Sequence, residues 1–213
     1  RVKAHGLREL IRESDNVLIM GHQTPDMDCL GASIGILGAC KALGKTAKVV
    51  VKEINYSIRE LFKYLIESGE YSEAFIQPKE TESYITPNTL LIIVDTQNAD
   101  YLEVPELIEA VKRIVVIDHH RRSGKFIDQT VLNYTEAYAS STCELITELL
   151  QYMEEKESMD ETEANALMAG ICMDTKMFTF KTGVRTFEAA SYLRRKGADT
   201  IIAKTMLQDD LAT

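Results

Sequence analysis

The chain has 213 residues, a formal net charge of −9, 45% hydrophobic residues and 27% charged residues. This is the composition of an ordinary globular domain with room for a substantial core, and its acidic balance excludes broad binding to nucleic acid through a basic face. The four cysteines (Cys29, Cys40, Cys143, Cys172) form no C-x-x-C pair, no apolar run approaches the ~18 residues of a membrane span, and no signal peptide is legible, so buried, reduced thiols in a cytoplasmic setting are expected.

Val17-Leu18-Ile19-Met20 is a short apolar run expected as a buried strand. It empties into Gly21-His22-Gln23-Thr24-Pro25-Asp26-Met27-Asp28, a loop stiffened by Pro25. Residues 29–43 then read as a helix closed by Gly44. Gly31, Gly35 and Gly38 share about one face of that helix, which is expected to lie close against a neighbouring strand. Because they fall inside the helix and not in the turn before it, they point to packing and not to a phosphate cradle. Residues 47–51 form a second expected strand, 57–67 a helix, and 69–88 a polar, irregular stretch containing Pro78 and Pro87.

Residues 89–94 are a third expected strand, ending directly in Asp95-Thr96-Gln97-Asn98, and a short helix over 105–112 starts on Pro105. The β-branched run Ile114-Val115-Val116-Ile117 stops abruptly at Asp118-His119-His120-Arg121-Arg122. From there the chain is mostly helical. Ser141-Thr142-Cys143-Glu144 has the form of a capping box. Asp160 opens a helix whose stripe of Ala166, Leu167, Gly170 and Ile171 leads to Asp174, residues 185–196 form another, and Asp199 caps the last. Short strands alternating with helices predict an α/β fold: a Rossmann-like parallel sheet of about five strands flanked by helices, with a helical C-terminal part.

The polar residues at the ends of these elements form a constellation. His22-x-x-x-Asp26-x-Asp28 follows one strand, Asp95 ends a second, Asp118-His119-His120 ends a third, and Asp174 ends a helix. Open parallel sheets gather ligand-binding groups at their carboxyl edge. Taken singly, each group has an ordinary explanation as turn chemistry, a cap or a buried pair. Four carboxylates converging without compensation would repel one another and protonate. Two divalent cations would balance them, leaving neutral imidazoles to donate nitrogen. Mixed oxygen and nitrogen donors suit Mn²⁺, with Mg²⁺, Co²⁺ or Fe²⁺ as competitors, and the lack of thiolate ligands argues against structural zinc. Paired metals of this kind serve phosphoryl hydrolysis.

These residues resemble the DHH phosphoesterase family, named for the Asp-His-His seen here at 118–120. Within it, the segment from His22 to Asp28, the run from Val116 to Arg122, Tyr138-Ala139-Ser140-Ser141-Thr142 and residues 178–192 look most like the GdpP-type cyclic-di-AMP phosphodiesterases. The resemblance spans essentially the whole chain as that family's N-terminal catalytic domain. It implies one metal held by His22, Asp26 and Asp95, and a second held by Asp28, Asp95, His119 and Asp174, with Asp95 bridging. It further implies attack by a metal-bridging hydroxide, with His120 as catalytic residue at the leaving oxygen, Asp118 orienting the histidines, and Arg121, Ser140 and Ser141 contacting substrate. Cyclic di-AMP would open to linear pApA.

The alternatives are a nanoRNase or 3′,5′-bisphosphate nucleotide phosphatase on the same centre, or a non-catalytic nucleotide-sensing module. The expected partner is a cyclic dinucleotide and no long nucleic acid; a homodimer stays open. Since the chain opens on Arg1, it reads as a cytoplasmic piece of a longer protein. The resemblance implies that the missing parts include a second, DHH-associated substrate domain and sensory segments anchored in a bacterial membrane. It also places a histidine in many relatives where this chain has Gln97.

Overall fold

A computed structural model describes residues 1–122, 124–153 and 159–207. Six strands form one parallel sheet in the order β3-β2-β1-β4-β5-β6. They are β1 (Val17–Met20), β2 (Ala47–Val50), β3 (Phe75–Ile76), β4 (Leu90–Val94), β5 (Arg113–Asp118) and β6 (Leu132–Thr135). Every pairing is parallel, with β1 hydrogen-bonded to β2 on one side and to β4 on the other. The strand order therefore reverses direction between β1 and β4, the switch point at which open α/β sheets leave a crevice beyond the strand ends.

Alternation along the strands divides the core in two. Val17, Ile19, Ile92, Val94, Val115 and Ile117 face one side, where they meet the main helical layer. Leu18, Met20, Leu91, Ile93, Ile114 and Val116 face the other, covered by Leu102, Leu107, Val111, Ile127 and their neighbours. Strands buried on both faces read as unbroken apolar runs, and for this reason β1, β4 and β5 are legible in the sequence.

The main layer contains α1 (Val2–Glu13), α2 (Met27–Ala42), α3 (Arg59–Glu67), α5 (Thr142–Tyr152), α6 (Glu161–Asp174), α7 (Val184–Arg195) and α8 (Thr200–Leu207). The far face has the short α4 (Leu107–Ala110). The sheet thus has six strands where about five were expected, and the extra ones lie at its edges. β3 is two residues long inside the stretch read as irregular, which also holds a 3₁₀ segment, Pro78–Tyr84. β6 is half-buried throughout. Neither presents the apolar run on which a strand assignment rests. The helix expected over 105–112 shrinks to four residues.

The α2 glycines pack as expected, but against helices and not a strand. A methyl on Gly31 would stand 2.4 Å from the Ala166 carbonyl oxygen and 2.9 Å from Cys143 Sγ; one on Gly35 would meet Ile146 and Leu167 at 2.9 Å. The glycine face lets α2 nest onto α5 and α6. At Gly38 the vacated space is filled by the Glu163 carboxyl group.

Burial, reinforced by the Asp160 charge, pushes Glu163 up to about 8. A carboxyl raised in the folded state stabilises the fold while protonated, below its unfolded value near 4.5, and that contribution is lost as pH climbs through 8. Glu163→Gln is therefore expected to raise Tm by ~5 °C at pH 9 and to leave it nearly unchanged at pH 4. Thermal melts across this range test it, and an equal shift at both ends would refute the assignment.

Candidate metal centre

The expected ligands meet at the carboxyl edge of the sheet, beside the switch point. His22 follows β1, Asp95 follows β4, and Asp118, His119 and His120 come off β5. Asp28 lies in the first turn of α2, and Asp174 is the last residue of α6. His119 Nε2 stands 3.2 Å from Asp174, 3.6 Å from Asp95 and 3.7 Å from Asp28. His22 Nε2 is 3.3 Å from the other Asp95 oxygen. Asp95 thus lies between the two histidines.

Among the described residues, three donor sets have ligand atoms close enough for a cation: Asp28 with His119 and Asp174, Asp95 with His119 and His120, and His22 with Cys29 and Asp95. The first matches the expected second site, with Asp95 alongside. At the first site Cys29 stands in the compact set where Asp26 was expected. Asp26 instead caps α2, accepting from the Cys29 amide at 3.0 Å, and it lines the same cleft. Burial, and next the Asp95 charge, push the Cys29 thiol well up, which disfavours the thiolate in the bare cluster.

Local structure explains why the carboxylates stay in place. Both Asp28 oxygens accept from the first amides of α5, Thr142 at 2.7 Å and Cys143 at 2.8 Å, so a helix N-terminus holds the acid. The Thr142 hydroxyl donates to Asp95 at 2.8 Å. Asp95 adopts a left-handed backbone with φ of 62°, a conformation that Asp and Asn tolerate better than other non-glycine residues. Its amide still donates to the Ile117 carbonyl at 2.9 Å, so the turn away from the sheet happens at that residue.

The bare cluster is electrostatically frustrated. Burial, followed by repulsion from Asp28, raises Asp26, drives Asp95 well up and lifts Asp174 to about 8. Burial lowers His22 and His119, keeping both imidazoles neutral and free to donate nitrogen. Carboxylates that resist ionising beside neutral imidazoles fit divalent cations, which supply the missing positive charge.

His120 is different. Its side chain is 56% exposed, and Nδ1 lies 2.7 Å from Asp118. That hydrogen bond raises His120. Burial favours protonated Asp118, but the bonds from His120 and Gln97 prevail and hold the carboxyl low. Gln97 Nε2 donates to Asp118 at 3.0 Å and to the His120 carbonyl at 2.8 Å, tying β4 to β5 across the site.

Arg121 is exposed on the wall of a cleft of about 390 Å³ that also includes His22, Asp95 and His120. Ser140 and Ser141 are not placed as substrate contacts: they are 1% and 0% exposed. The Ser141 hydroxyl accepts from the Glu144 amide, and that of Ser140 donates to the Glu144 carboxylate, which also takes Thr186. The reciprocal capping bond expected at Ser141 goes to the Ser140 amide instead. Both serines build the start of α5, which in turn holds Asp28. Thr142 and Gln97 are the site residues that motif reading passed over or left in doubt. The signals for Thr142 are its place just inside the Ser141 cap and in the run from Tyr138 that carries the resemblance.

The model of the DHH family, N-terminal domain, matches residues 16–171. The chain is 46% identical to the cyclic-di-AMP phosphodiesterase GdpP of Bacillus subtilis over 98% of its own length and 32% of that protein. It is 42% identical to the cyclic-di-AMP phosphodiesterase PdeA of Listeria monocytogenes over 100% of its length and 33% of the relative. It therefore spans about a third of these curated relatives. Among solved structures, an exopolyphosphatase-related protein from Bacteroides fragilis superposes with a TM-score of 0.83 at 20% identity, over 98% of this chain and 60% of that one, a likeness of fold.

Proposed function

Since the chain belongs to the DHH family, we propose that it is the catalytic domain of a phosphodiesterase that opens cyclic di-AMP to linear pApA. The observation that carries this reading is the convergence of Asp28, Asp95, His119 and Asp174 around one imidazole nitrogen, beside a cleft whose wall holds the exposed His120. The names of the GdpP and PdeA relatives support the choice of substrate.

His22, Asp26 and Asp95 would hold one divalent cation, and Asp28, Asp95, His119 and Asp174 the other, with Mn²⁺ the first candidate. Such a pair stabilises charge on the phosphate and lowers the pKa of an attacking water. His120, whose pKa the Asp118 hydrogen bond raises, would give a proton to the departing 3′ oxygen. Asp118 and Gln97 hold that ring in position. Arg121 offers its guanidinium to the phosphate from the cleft wall. No helix among the described residues is long and apolar enough to cross a membrane. Any membrane anchor and second substrate domain would lie in the remaining two thirds of a parent of the relatives' length.

Incubating the chain, and a version extended to the length of its relatives, with Mn²⁺ and cyclic di-AMP should yield pApA. Cyclic di-GMP, pApA and pyrophosphate serve as parallel substrates. Sparing of cyclic di-AMP with cleavage of pApA would move the reading to an oligonucleotide or bisphosphate nucleotide phosphatase. No cleavage of any of them by the extended form would leave a nucleotide-binding module.

A further inference from the structure

The cleft wall carries one exposed aromatic side chain, Tyr101, which the chemistry above leaves without a role. It is 55% exposed and borders the same space as His22, Asp95, His120 and Arg121. We propose that Tyr101 is a stacking platform for the base of the nucleotide whose phosphate lies at the metal centre. This deepens the proposed function and rests on it.

The main chain fixes Tyr101 firmly for a surface residue. It ends a 3₁₀ turn, Ala99–Tyr101, that Asn98 caps by accepting from the Asp100 amide at 3.0 Å. The Tyr101 amide donates to the Asn98 carbonyl at 3.1 Å, and its carbonyl accepts from the Gln23 amide at 2.7 Å. One residue on, Leu102 pairs with His22, and the Glu103 amide donates to the Gly21 carbonyl at 3.0 Å. From the other side, Ala99 donates to the Lys125 carbonyl, and Ile127 to that of Gln97. The segment bearing Tyr101 is thus bonded to the loop holding His22 and to the loop that follows Arg121.

A tyrosine whose main chain is already fixed beside the cleft has only its two side-chain torsions to order when a base settles on it. Stacking on an aromatic face is worth about 1–3 kcal/mol per base and tolerates any base, with the larger purines gaining most contact. The cleft offers a cation for the phosphate, Arg121, and a flat apolar face for the base, Tyr101. Its ligand class is therefore a nucleotide and not an inorganic polyphosphate.

The chain contains no tryptophan, so Tyr101→Trp introduces a single fluorescent indole at this spot. With Mg²⁺ present, adenosine 5′-monophosphate should quench its emission, while ribose 5-phosphate, which has no base, should not. By calorimetry, Tyr101→Ala should weaken the nucleotide about tenfold and Tyr101→Phe less than twofold, with ribose 5-phosphate bound alike by all forms. Equal affinity of the Ala variant and the unaltered chain for the nucleotide, or no nucleotide binding by the unaltered chain, would overturn the proposal. Neither result bears on hydrolysis of cyclic di-AMP, which is read separately by product formation.

Discussion

Asp95→Asn is expected to abolish phosphodiester hydrolysis, by about a thousandfold or more, while making the metal-free chain more stable. Asparagine keeps the size of the side chain, tolerates the left-handed backbone at φ of 62° and still accepts from Thr142. It removes a carboxyl whose ionisation burial, then the Asp28 and Asp26 charges, oppose. The relieved repulsion should raise Tm by a few degrees without metal, since ~1 kcal/mol corresponds to about 2–4 °C in a chain of this size. The same change removes the carboxylate shared by both proposed cation sites, so calorimetric titration with Mn²⁺ should show weak or absent binding. Opposite signs for stability and activity mark a residue kept for chemistry at the expense of the fold. An active Asp95→Asn variant, or one that melts earlier without metal, would refute the assignment.

Gly31→Ala is expected to be the most damaging small change in the helical layer, costing about 3 kcal/mol and lowering Tm by roughly 6–12 °C. The added methyl would meet a backbone carbonyl of α6 at 2.4 Å, which cannot rotate away, and Cys143 Sγ at 2.9 Å. Relief requires moving α6 or α5. Since the Cys143 amide holds Asp28, hydrolysis should fall even at temperatures where the variant is folded. Gly44→Ala is the control: it strains a backbone at φ of 69° but meets nothing within 4 Å, so it should cost about 1 kcal/mol and spare activity. Denaturant titration of both variants checks the ranking, and similar small losses would mean that α2 does not depend on that close approach.

The residues themselves determined the central strands, the capped starts of α5 and α6 and the inventory of metal-type donors, while α1 (Val2–Glu13) went unread. These rest on local chemistry: Val, Ile and Leu in runs that suit burial on both faces, side-chain caps such as Asp160 and Ser141, and acids and imidazoles placed where an apolar run ends. The edge strands were not legible, because β3 and β6 are short, partly exposed and shaped by the neighbours they pair with.

Tertiary structure alone decided the rest. Its packing turned the α2 glycines toward helices and not a strand. It also spent the Ser140 and Ser141 hydroxyls on Glu144, brought Thr142 onto Asp95 across 47 positions of sequence, and put Tyr101 beside the cleft. A donor type can be read from its letter, but its partner is set by which chain segments the core forces into contact, and no local pattern records that.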